Sequence, residues 1–192
     1  MSRVGRLGVT CVLSIVLSAC GTPPDKEIDQ AVAALVAARQ AGADKYSPEE
    51  FTAAEQALAG AREAVGQRDY RLALNNALDA RERALMAASD AMEKKAQARA
   101  RADAAMTEAT AVLTTARERM KAPGRTHASG RTLAALRRAT TDAEAAVQEA
   151  LTAFGIADYL RVPEIVTGPI AKLQAALQED EAAPAPPPRR RR

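Results

Sequence analysis

Apolar residues recur at helical spacings along almost the whole chain. Ile28, Ala31, Val32, Leu35 and Ala38 share one face of a predicted helix that runs to about Ala41, where Gly42 stops it. Ser47-Pro48-Glu49-Glu50 reads as a capping box, with Pro at the first helical position and Glu at the third. The helix it opens carries Phe51, Ala54, Ala57, Leu58, Ala61 and Val65 inward and ends at Gly66. From about Asp69 no Gly or Pro interrupts the chain until Pro123, which predicts one helix of about 50 residues, roughly 75 Å long. Within it Leu78, Leu85, Met92, Met106, Leu113 and Met120 keep one seven-residue register, and Ala77, Ala84, Ala91, Ala98, Ala105 and Val112 fill the stripe beside it. Such a heptad implies left-handed supercoiling against a partner helix.

The preceding helix, about 19 residues by the pattern, is too short to cover the distal half of the long one. That half, near residues 95–121, must meet the next helix, another subunit or another protein, which makes Met106, Leu113 and Met120 a candidate partner seam. Arg99 breaks the register, and Lys95 and Arg81 lie beside it. Their stems can snorkel along the seam where the partner ends, or their charges can serve a function.

Pro123 to Gly130 reads as a loop. Leu133, Leu136, Ala143, Val147, Ala150, Leu151 and Phe154 mark a fourth helix that ends at Gly155. Here the chain repeats itself. Gly66-Gln67-Arg68-Asp69-Tyr70 matches Gly155-Ile156-Ala157-Asp158-Tyr159 at an offset of 89, and Ala54, Glu55, Ala57, Ala61 and Ala64 align with Ala143, Glu144, Ala146, Ala150 and Ala153. Gly66 and Gly155 suit left-handed helix ends, Asp69 and Asp158 suit caps of the next helix, and Tyr70 and Tyr159 can plug the hairpin end. After the second turn Pro163, Gly168 and Pro169 predict a broken or short fifth helix, with Pro169 to Gln178 its surer part. The expected fold is all-α: an elongated antiparallel bundle of coiled-coil hairpins. Its segments are a leader (1–19), a tether (20–26), a hairpin domain with the long helix (27–122), a loop (123–130), a second, degraded hairpin (131–180) and a disordered Pro/Arg tail (181–192).

Composition agrees with that class. The 192 residues include 47 alanines, no Trp, three Tyr and two Phe, so the core buries little apolar area per residue and helices must approach closely. The formal charge of +3 does not describe a basic face. Removing Arg3 and Arg6 leaves 25 basic against 24 acidic residues from Cys20 onward, and removing Arg189, Arg190, Arg191 and Arg192 leaves 21 against 24. Basic charge confined to the tail, without interleaved aromatics, argues against nucleic-acid binding. The tail can attract the phosphates of anionic lipid headgroups or lipopolysaccharide, or it can be a solubilising terminus.

Residues 1–19 place Arg3 and Arg6 before an apolar stretch from Val9 to Leu17, followed by small Ser18 and Ala19. This is the layout of a secretory signal peptide. The stretch falls short of the roughly 20 residues that span a bilayer, and Gly21-Thr22-Pro23-Pro24 prevents its continuation. Leu17-Ser18-Ala19-Cys20 resembles the lipobox of bacterial lipoproteins. That resemblance implies a diacylglyceryl group on the Cys20 sulfur, cleavage before Cys20 with Leu17, Ser18, Ala19 and Gly21 forming the recognition site, and an acyl chain such as palmitate on the new amine. Gly21, rather than Asp, implies sorting to the outer membrane, facing the periplasm. Cys20 would then be the sole Cys of the mature chain, with its sulfur consumed.

No catalytic constellation emerges. The single His127 has no second ligand or acid/base partner nearby in sequence, and no paired His or Cys, G-x-S-x-G or Gly-rich phosphate loop follows Cys20. The expectation is a protein that is not an enzyme, with no metal and no cofactor besides the lipid. The lipobox, A-G-A-D-K-Y-S-P-E-E-F, and A-x-x-x-x-x-D-Y-x-x-A-L-x-x-A-x-x-A-x-x-A from Ala64 to Ala84 together resemble a family of alanine-rich bacterial envelope lipoproteins, classed as a domain of unknown function. The resemblance covers about residues 20–121. Larger relatives carry an OmpA-like peptidoglycan-binding domain after the helices, which this sequence does not match. The function expected is that of a non-enzymatic, lipid-anchored helical scaffold or spacer in the periplasm that self-associates or meets a protein partner through its helices. A tetratricopeptide-like adaptor for secretion or pilus assembly is the alternative, although tetratricopeptide repeats recur every 34 residues rather than 89.

Overall fold

Small alanines, helix-favouring charged residues and sparse breakers give six helices among the described residues. The computed structural model describes residues 21–121 and 130–182. They form α1 (Asp25–Ala41), the single turn α2 (Ala43–Tyr46), α3 (Pro48–Gly66), α4 (Tyr70–Lys121), α5 (Gly130–Gly155) and α6 (Arg161–Ala182). No strand occurs among the described residues, so the fold is all-α. At 52 residues α4 is the uninterrupted helix that the absence of Gly and Pro predicts.

The chain divides into two compact units, Met1–Met92 and Glu93–Arg192. The change from one unit to the next falls inside α4, whose first part packs with α1, α2 and α3 and whose last part belongs with α5 and α6. In the first unit Ala31, Leu35 and Ala38 of α1 and Phe51, Ala54 and Leu58 of α3 are buried, as are Ala73, Ala77, Ala80, Ala84, Ala87 and Ala91 of α4. In the second, Ala102, Ala109, Leu113 and Ala116 of α4 join Leu136, Ala143 and Val147 of α5 and Val162, Val166, Ile170 and Leu173 of α6 in one core.

The Leu/Met register does not stay on one face. Leu113 is 4% exposed, whereas Leu78, Leu85 and Met92 are 45, 53 and 61% exposed. The sequence reading assumed that supercoiling keeps a heptad stripe on the seam. A helix of 3.6 residues per turn drifts about 20° per heptad, so Leu78 and Leu113, five heptads apart, point about 100° apart. In the first unit the alanine stripe faces the core and the large side chains face out. Arg81 and Arg99 are exposed for the same reason.

Two local expectations also need correcting. Ser47 precedes α3 and Pro48 opens it, but the Ser47 side chain makes no capping hydrogen bond. Ser47 is buried, its carbonyl accepts from the Phe51 amide at 3.1 Å, and Glu50 reaches Arg83 instead of closing a capping box. Helix α6 is continuous from Arg161 to Ala182 with Pro169 inside it. Interior Pro costs about 3 kcal/mol. Burial of Val162, Val166, Ile170 and Leu173 along one face of α6 offsets that cost.

Candidate functional site

The two turns in the repeated motif have one geometry. The Asp69 amide donates to the Ala64 carbonyl at 2.9 Å and the Arg68 amide to the Val65 carbonyl at 3.0 Å. The Asp158 amide donates to Ala153 at 2.9 Å and the Ala157 amide to Phe154 at 3.0 Å. Both are Schellman endings, which place the left-handed residue just before the Asp. That residue is Arg68 (φ 61°) and Ala157 (φ 59°) rather than Gly66 or Gly155, which end the preceding helices in helical conformation. Asp69 then caps α4, its Oδ1 accepting from the Leu72 amide at 3.0 Å. The carbonyl of Asp158 accepts from the Arg161 amide at 3.3 Å, where α6 begins. Tyr159 packs edge-on against Phe154 with ring centroids 5.1 Å apart.

Tyr70 lies beside the entry of the chain. A methyl group on Gly21 would sit 3.9 Å from the Tyr70 Cβ and Cδ2 atoms, so the segment leading into α1 passes the α3–α4 turn. Pro24 is buried and its carbonyl accepts from the Ile28 amide at 3.0 Å. Leu17, Ser18, Ala19 and Cys20 lie outside the described residues, as do His127 and Arg189, Arg190, Arg191 and Arg192.

The candidate partner seam is occupied by the chain itself. Leu113 belongs to the core that α4 forms with α5 and α6, and Met106 and Met120 pack against that core partly buried. Of the alternatives for residues 95–121, the next helix is the one realised. The tail of α6 adds a clamp: Arg119 Nε meets Asp180 Oδ2 at 2.9 Å, with the Asp180 side chain 3% exposed.

Exposed concavities line the first unit among the described residues, and two of them are large. One is a groove of about 590 Å³ between α1 and α3, with Val32, Val36, Phe51 and Leu58 in its lining. Arg39 stands at its edge, bonded to Glu55 at 2.7 Å and 5.2 Å from the centre of the Phe51 ring. The other, about 480 Å³, lies along the outer face of α4 between Leu78 and Ser89. The Leu78–Leu85–Met92 row, which its heptad spacing would set on the inner seam, faces outward. The signal for that orientation was the unbroken alanine stripe, which suits close helix packing better than leucine does.

Electrostatics here are structural. Arg83 Nε donates to both Asp79 carboxylate oxygens at 3.0 Å, and its Nη1 reaches Glu50 of α3 at 3.4 Å. The Asp79 hydrogen bonds and charge, followed by Glu50, push the Arg83 guanidinium above its ordinary range. Among the described residues no group of three or more His, Cys, Asp or Glu side chains is arranged to hold a metal, and no helix is long and apolar enough to cross a membrane. No curated protein and no solved structure matches the chain. A family model does match: it begins at the second residue of α1, covers α1 to α3, and ends within α4 at Ala102. Residues 26–102 thus carry a domain of unknown function (DUF4398).

Proposed function

We propose that the protein is a non-enzymatic, lipid-anchored helical scaffold of the bacterial cell envelope, held by an acylated Cys20 and seated on the periplasmic side of the outer membrane. The observation that carries this reading is Leu17-Ser18-Ala19-Cys20 standing five residues ahead of the first helix. Five residues reach at most about 17 Å, so a lipid on Cys20 holds the start of α1 at the membrane surface. Gly21 lies close enough to Tyr70 that an added Cβ would touch its ring, which supports the same arrangement, with the α3–α4 turn at the membrane end of the first unit. One acyl chain binds a bilayer only marginally, whereas the two or three chains of a processed lipoprotein anchor it stably.

The repeated Schellman turns support a duplicated helical module that presents surfaces. They give less support to the tetratricopeptide-like adaptor, because the 89-residue offset spans a shared helix rather than a stack of short hairpins.

Fractionation of cells expressing the full chain tests the anchor. Wild-type protein should stay in the membrane fraction after a high-salt wash, and Cys20→Ala, exported behind a leader that is cleaved without lipidation, should appear in the soluble fraction. Recovery of that processed Cys20→Ala chain in the washed membranes would overturn the reading.

A further inference from the structure

Helix α4 inverts the usual use of its residues in the first unit. Six alanines from Ala73 to Ala91 face the core, and Leu78, Leu85, Met86 and Met92 face solvent. Burying a methyl group is worth about 0.8 kcal/mol, and burying a Leu or Met side chain about 1.5 to 3 kcal/mol. The stronger adhesive on this helix is therefore the outer one. Leu78, Leu85 and Met92 are seven residues apart, and over this short span the drift against a straight helix is only about 40°. Their row stays coherent for the length of one partner helix.

The charges beside the row say what that partner is. Counted at 100° per residue from Leu78, Arg81 lies about 60° to one side of the row and Glu82 about 40° to the other, at nearly the same height. When two copies of a helix pack in parallel about a two-fold axis along their length, the left edge of one meets the right edge of the other. Arg81 of each copy then faces Glu82 of its mate. In an antiparallel pair centred near Leu85 like edges meet, which sets Arg81 near Ala88 and Glu82 near Ser89 of the mate, so that neither charge faces its opposite. Arg81 keeps one internal hydrogen bond, to the neutral Gln30 Oε1 at 3.2 Å, which leaves its charge to be met from outside.

We infer that the outer face of α4, with Leu78, Leu85 and Met92 on its centre line and Arg81 and Glu82 at its edges, pairs with the same face of a second copy of this chain in a parallel, in-register dimer. The exposed parts of Leu78, Leu85, Met86 and Met92 alone fall short of the roughly 800 Å² that stable pairs bury per partner. The flanking Arg81, Glu82 and Ser89 extend the contact, and the pair is a weak one whose population depends on local concentration. Confinement of both copies to one membrane raises that concentration without any new contact. Contact with a lipid surface is disfavoured by Glu82, whose carboxylate at the edge of the row would have to be desolvated.

Disulfide trapping in intact cells tests the pair in the full chain. With a parallel, in-register dimer, Leu78→Cys and Met92→Cys each form a disulfide dimer alone, whereas the unchanged chain, whose own cysteines precede Gly21, does not. A disulfide requires Cα atoms within about 7 Å, so an antiparallel pair centred near Leu85 would trap neither variant alone but would trap the two co-expressed. That result, or no dimer in either experiment, overturns the proposal. In the Leu78→Cys background, Arg81→Glu should lower the trapped fraction about tenfold, the effect of some 1.4 kcal/mol, and adding Glu82→Arg should restore it. Failure of the double exchange to restore trapping overturns the charge pairing. If Leu85→Asp reduces binding of the purified chain to vesicles while no variant traps a dimer, the face belongs to the membrane and the proposal fails. Failure of the anchor is separately visible: Cys20→Ala at high concentration would retain the same trapping pattern in solution.

Discussion

Arg68 and Ala157 hold left-handed backbone that L-residues adopt at a cost of about 1 to 2 kcal/mol. Gly, Asp and Tyr recur in both copies at the offset of 89, and the chain turns at both places. Residue type points to the wrong residue for the left-handed position. Glycine's freedom suggested Gly66, but the bond from the Asp69 amide to Ala64 fixes that conformation two residues later, and hydrogen-bond closure cannot be read from residue type alone. Gly66 is helical, and a Cβ built on it meets nothing within 4 Å. Gly66→Ala should therefore stabilise the protein by about 0.5 to 1 kcal/mol, because alanine gives up less backbone entropy in a helix. Arg68→Gly should stabilise it by about 1 kcal/mol through relief of the left-handed strain. Urea unfolding of both variants checks the assignment. A loss of stability in Gly66→Ala would return the left-handed role to the glycine.

Helix α4 shows at the scale of an element what the pattern could and could not tell. Its existence, length and start were legible, because fifty residues without Gly or Pro and an Asp at the entrance leave few alternatives. Its buried face was not. A heptad and a 3.6-residue helix agree for two turns and part company over five heptads, so the same register lies outside at Leu85 and inside at Leu113. Helix α6 was underestimated for a related reason, since Pro169 weakens a helix locally while burial of Val166, Ile170 and Leu173 is a tertiary term. The two faces of α4 make opposite predictions. Leu113→Ala should cost about 2 to 4 kcal/mol, the usual result of truncating a leucine in a packed core. Leu85→Ala, at an exposed position, should stay within about 0.5 kcal/mol for the dilute monomer. Denaturant unfolding at low protein concentration distinguishes them, and equal losses at both sites would contradict the face assignment.

At the scale of the whole molecule, charge separates the tail from everything else. From Cys20 onward the chain carries 25 basic and 24 acidic residues, and four of the 25 are Arg189 to Arg192. The rest of that chain is therefore net negative, 21 against 24, so any pull toward an anionic surface would have to come from those last four residues. Each arginine near an anionic leaflet contributes about 1 kcal/mol, so four contribute about 4 kcal/mol, or close to a thousandfold in affinity before any loss to ordering the chain. Some of that loss is small here, because Pro184, Pro186, Pro187 and Pro188 already restrict the backbone ahead of the arginines. The effect is measurable only without the lipid, which would otherwise dominate binding. In the Cys20→Ala chain freed of its leader, deletion of Arg189 to Arg192 should weaken binding to vesicles rich in anionic lipid by about one hundredfold or more at low salt, allowing for incomplete contact. The difference should shrink as salt shortens the screening length from about 30 Å at 0.01 M to about 10 Å at 0.1 M, and it should vanish on neutral vesicles. Equal binding of the two forms to anionic vesicles at low salt would mean that the arginines keep the terminus soluble and take no part in holding the protein to a surface.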